Sequence, residues 1–170
     1  MNDRLLSLPA LPLIRLLLAQ TKIFSSEQRK KSFIPDTNIL LDLLYWKDPR
    51  VKQLNEAVQA REMIAVYSEE TLAEFADVLS RKPFSLTLGD TEKLIREALR
   101  FGVIATDPEQ ACPIRCKDPD DQKFINLAFF HHIPLILSRD KLVLKTNRKL
   151  SVHGIRVTED LDSVIPAKSA

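Results

Sequence analysis

From Ser32 onward, short apolar runs alternate with longer stretches of helical spacing, and nothing between neighbouring runs reads as a hairpin turn. SFIP, MIAVYS, VIAT and PLILS have the length and composition of buried strands, and GIRVT reads as a fifth. Between them lie an apolar helical pattern from Ile39 to Tyr45 and the segment DPRVKQLNEAVQAR, which opens on Asp-Pro. EETLAEFADVLSRK follows, capped by Ser68 and stopped by Pro83; then come TEKLIREALRFG, with Gly102 after its last turn, and DPDDQKFINLAFFHH, with Asp118 as N-cap and Pro119 at the first helical position. Two antiparallel strands can be joined by a tight turn, whereas parallel strands need a crossover, usually a helix. The alternation therefore predicts a three-layer α/β/α sandwich around a central parallel sheet of four or five strands.

The 170 residues suffice for one domain with a full core and not for two comfortable ones. Residues 1–31 read as an N-terminal extension outside the core fold, a leucine-rich helix followed by the polar linker SSEQRKK; residues 32–162 form the α/β domain and 163–170 a tail. LLSLPALPLIRLLLAQ is broken by Pro9, Pro12 and Arg15, too short for a membrane span and without the basic start or cleavage site of a signal peptide. A formal charge of +2 gives no global field for nucleic acid, and three glycines exclude a Gly-rich phosphate loop. Cys112 and Cys116, spaced C-x3-C, match neither a redox pair nor a zinc site and read as free thiols, which suits a reducing cytoplasm.

The expected architecture gives the acidic residues a common address. Ligands of open parallel sheets bind beyond the carboxyl ends of the strands. Asp36 ends the first strand, Asp140 follows the fourth, and Asp118, Asp120 and Asp121 open the helix that leads into it. Glu74 sits beside the apolar stripe Leu72, Phe75, Ala76 and Leu79 of its helix, with Glu69, Glu70 and Asp77 expected on the solvated face. Taken singly, Asp36, Asp118 and Asp121 are ordinary helix-start residues, Asp140 a turn residue and Glu74 a surface acid. Taken together, converging carboxylates stay ionised only beside a cation. An all-oxygen, histidine-free set suits Mg2+ or Mn2+, the ions of phosphodiester hydrolysis.

The ordered motifs D36-T-N-I-L-L, S68-x-x-T-L-A-E74, C116-K-D118-P-D-D121-x-x-F-I-N-L-A and S138-R-D140-K-L resemble the PIN domain over about residues 32–160, most closely the VapC-like toxins of toxin–antitoxin systems. The resemblance implies a Mg2+- or Mn2+-dependent endoribonuclease. On it, Asp36, Glu74, Asp121 and Asp140 form the catalytic and metal-binding set, with Asp121 preferred over Asp120 by its spacing to Ala128. Asp118 is a further acid, ligand or cap; Thr37, Asn38 and Ser138 support the site. It also implies a cognate antitoxin and a homodimer in the cytoplasm, with no membrane partner. Many members carry another acid just after the last one, where this chain has Leu142 and Val143.

Arg139, Lys141, Lys145, Arg148 and Lys149 lie beside Asp140 and are candidates for RNA phosphate contacts, the alternative being a merely solvated charged segment. Two other readings stand next to the nuclease. A catalytically degenerate PIN-like module would bind RNA or a protein. A haloacid-dehalogenase-like phosphatase would also place an Asp after the first strand, but needs Asp-x-Asp, and position 38 is Asn.

Overall fold

In the computed structural model, which describes residues 1–166, five parallel strands form one sheet in the order β3-β2-β1-β4-β5. Ahead of the sheet come α1 (Asp3–Leu6) and α2 (Leu11–Leu18). β1 (Ser32–Pro35) leads into α3 (Thr37–Leu41), which continues as a π-helical turn, Asp42–Trp46; α4 (Lys52–Gln59) precedes β2 (Ile64–Tyr67). α5 (Glu69–Ser80) and α6 (Leu88–Phe101) return the chain to β3 (Gly102–Ile104). A 3₁₀ turn at Pro119–Asp121 opens α7 (Gln122–His131), and β4 (Leu135–Leu137), α8 (Lys141–Leu144), α9 (Asn147–Leu150) and β5 (Arg156–Thr158) complete the fold.

The expected sandwich is present, and the period of two along each strand explains it. Phe33, Ala65, Tyr67, Leu135 and Leu137 point into one core, with buried side chains of α2 to α6. Ile34, Val66, Val103, Ile136 and Val157 point into the other, with Phe124, Ile125, Leu127 and Ala128 of α7. Strands buried on both faces read as continuous apolar runs, which is why the central ones were conspicuous in the sequence.

Two local expectations differ. The leucine-rich N-terminal segment is not outside the core: Leu5, Leu8, Leu11, Ile14 and Leu17 are buried in the first core, and α2 packs on α5 and α6. Asp77 is not on a solvated face, because α1 also packs on α5. It is 6% exposed and pairs with Arg4 (3.2 Å) and Arg81 (2.9 Å). Gly102 follows the last turn of α6 as expected; it is extended there and begins β3. Glycine is required there by space, since a methyl group would overlap the Tyr67 ring and lie 3.0 Å from the Ala65 carbonyl. Of the expected tail, residues 167–170 lie outside the described residues.

Two consequences are measurable by urea denaturation. Ile14→Ala removes a side chain with no exposure and is expected to cost about 2–5 kcal/mol, where a peripheral helix would lose almost nothing. Gly102→Ala is expected to cost about 1–3 kcal/mol through overpacking against Tyr67.

Candidate functional site

The parallel register Ile34↔Ile136 and Pro35↔Leu137 sets the ends of β1 and β4 side by side. Pro35 is the last residue of its strand, and the ladder resumes at once, with the Asp36 N–H donating to the Leu137 carbonyl (2.9 Å). The next residues on the two strands are therefore neighbours. The buried Ser138 hydroxyl donates to Asp36 Oδ2 and accepts from the Asp140 N–H at 3.0 Å. Asp36 Oδ1 accepts from the Ile39 N–H (2.8 Å) and so caps α3. Burial pushes the Asp36 carboxyl up to about 6, opposed by the Ser138, Ile39 and Arg139 hydrogen bonds and assisted by the charge of Glu74.

Glu74 reaches the same edge from α5. Its Oε1 accepts from the Thr37 hydroxyl and its Oε2 from the Lys123 ammonium. Asp121, at the start of α7, is pushed up to about 7 by burial and by the charges of Asp140, Asp118 and Glu74, with Lys123 opposing. Asp140 uses Oδ1 to accept from the Leu142 (2.6 Å) and Val143 (3.3 Å) N–H groups and caps α8. Asp118 Oδ1 accepts from the Asp120 N–H (2.9 Å), capping the 3₁₀ turn. Asp36, Glu74, Asp121 and Asp140, with Asp118, thus share one electrostatic neighbourhood. Asp120 is exposed and faces Asn2 instead.

The remaining candidates divide. Thr37 and Ser138 each hold a carboxylate, whereas the side chain of Asn38 is exposed. Arg139 is drawn away from the expected basic strip into an ion pair with buried Asp42. Lys141 at the start of α8, and Lys145 and Arg148 beyond it, are exposed. Cys112 and Cys116 are free and buried, and burial raises both thiols.

Sequence reasoning passed over two residues. Asp42 stands inside the apolar pattern ILLDLLYW, and Lys123 stands four residues before buried Leu127 on the inward side of α7. A charge at a stripe position is the available signal in both cases, and each is buried with an opposite partner. Lys123 also donates to the Asp120 carbonyl. Among the described residues, no three His, Cys, Asp or Glu side chains are gathered as a ready-made metal ligand set.

A PIN domain family model matches residues 32–142, and the chain belongs to the PIN domain family. Its members are generally nucleases, which is consistent with an acidic edge of this kind. No curated protein and no solved structure gives a match. Among the described residues, no helix is long and apolar enough to cross a membrane.

The raised carboxyls make stability pH-dependent. Between the ordinary Asp range and about pH 7, the folded protein holds protons on Asp36 and Asp121 that the unfolded chain has released. Stability without divalent metal is therefore expected to fall as pH rises from about 4 through about 7. Thermal melts in chelator should show that decline, and Asp121→Asn should flatten it.

Proposed function

We propose that this protein is a Mg2+- or Mn2+-dependent endoribonuclease that hydrolyses phosphodiester bonds. The observation that carries the reading is the recurrence of Asp36, Glu74, Asp121 and Asp140 at the carboxyl edge of one parallel sheet, where burial first and neighbouring carboxylates second push Asp36 and Asp121 up. Such a set is destabilised by its own charge and is relieved by a hard cation. The donors are all oxygen, which suits Mg2+ or Mn2+ and not a thiolate or imidazole metal.

Asp36, Asp121 and Asp140 are the proposed ligands, with Glu74 and Asp118 as further acids of the site. When bound, the divalent ion supplies Lewis acidity and an ionisable water. The chain's own groups prepare the place. Ser138 holds one oxygen of Asp36 and the Asp140 backbone at once, and Thr37 holds Glu74. Exposed Lys141, Lys145 and Arg148, beside Asp140, are the proposed contacts to RNA phosphates, which fix register without reading sequence. The likeness to VapC-like toxins supports a toxin role, with an antitoxin partner and a homodimer as parts of the same proposal.

Asp36→Asn preserves shape and the helix cap while removing one charge. It is expected to lower Mn2+-dependent cleavage of single-stranded RNA at least about a hundredfold, followed by gel assay beside a circular dichroism check of folding. Undiminished cleavage by the folded variant would sink the nuclease assignment.

A second reading, a non-catalytic PIN module that binds RNA or protein, is favoured by the absence of a ready-made ligand set among the described residues. Calorimetric titration with Mn2+ separates the two, since that module takes up no metal at this edge.

A further inference from the structure

Lys123 holds a position at the acidic edge that the roles of the four acids leave unexplained. Its side chain is 6% exposed, and its ammonium contacts Glu74 Oε2 and the Asp120 carbonyl. A buried ammonium is costly unless paired, and this one is paired with Glu74 at the acidic edge. Glu74 consequently has a protein partner on each oxygen, Thr37 on one and Lys123 on the other.

An independent observation points the same way. Beyond Asp140, side chains that would enlarge the acidic set are missing. Leu142 and Val143 stand there; Val143 is fully buried in the second core, and Leu142 packs against it. The backbone N–H groups of both residues are directed at the Asp140 carboxylate. A fixed positive charge therefore stands among the acids of this edge.

We propose that Lys123 is a positioning residue that acts as the built-in second cation of the site. It neutralises Glu74 and leaves Asp36, Asp121 and Asp140 to hold a single divalent ion per chain. This rests on the metal-dependent reading above. A lysine ammonium offers one unit of charge at a place set by α7, whereas a second free ion would have to be gathered from solution against its hydration. A wholly structural ion pair would stabilise the fold equally and leave metal uptake unchanged.

The test uses Mn2+ alone, titrated by calorimetry and by electron paramagnetic resonance into the full chain. The wild type is expected to bind one Mn2+. Lys123→Gln removes the charge, and its first Mn2+ is expected to bind about tenfold more tightly because a like charge has gone from the edge. Lys123→Arg keeps the charge and is expected to stay within about threefold of the wild type. Two Mn2+ ions on the wild type, or no tightening in folded Lys123→Gln, would overturn the inference. Should Lys123→Gln fail to fold, Lys123→Met, which also removes the charge, is titrated in its place and read in the same way. Asp36→Asn separates the two levels. Loss of Mn2+ binding there with no effect of Lys123→Gln refutes only the role of Lys123, whereas binding that ignores Asp36→Asn refutes the metal site itself.

Discussion

The pairing of β1 with β4 is the constraint on which the acidic edge depends. Both strands are buried on both faces, so neither can slip by one residue without turning Phe33 and Ile34, or Leu135 and Ile136, into the wrong cores. That register leaves Asp36 and Ser138 as the first residues beyond the two strands. A carboxylate only 3% exposed is tolerated there because the Ile39 N–H and the Ser138 hydroxyl both donate to it. The residual strain of burial remains visible in its raised pKa.

Three acids of this edge serve local structure. Asp36, Asp118 and Asp140 each cap a following helical turn through Oδ1. In Asp36 the second oxygen is also engaged, accepting from the Ser138 hydroxyl. Asp121 has no such cap, and burial first, then the charges of Asp140, Asp118 and Glu74, push its carboxyl up to about 7. The loops and helix starts that end each strand thus place charges where the parallel sheet directs them, as open α/β folds do with their ligands.

Much of the fold was legible because buried parallel strands and amphipathic helices have different periods. SFIP, IAVY and LIL stand out as apolar runs, and α5 and α6 show regular stripes. Helix ends were less legible. Asp118 begins a 3₁₀ turn and α7 starts only at Gln122, while α8 and α9 are single turns too short to carry a period. The partner of a charge was not legible at all. Asp77 looked solvated until α1 packed on its helix, and Arg139 looked available to phosphate until Asp42 faced it.

The sequence by itself determined the α/β order, the buried strands and the recurrence of acids at strand ends and helix starts, because these follow from periodicity and local backbone chemistry. Only the tertiary structure decided that residues 3–18 complete a core, that Gly102 answers to Tyr67, and that Lys123 sits against Glu74. Each of these joins residues far apart in the chain. Such pairings are fixed by the register and packing of whole elements, which no local window of sequence contains.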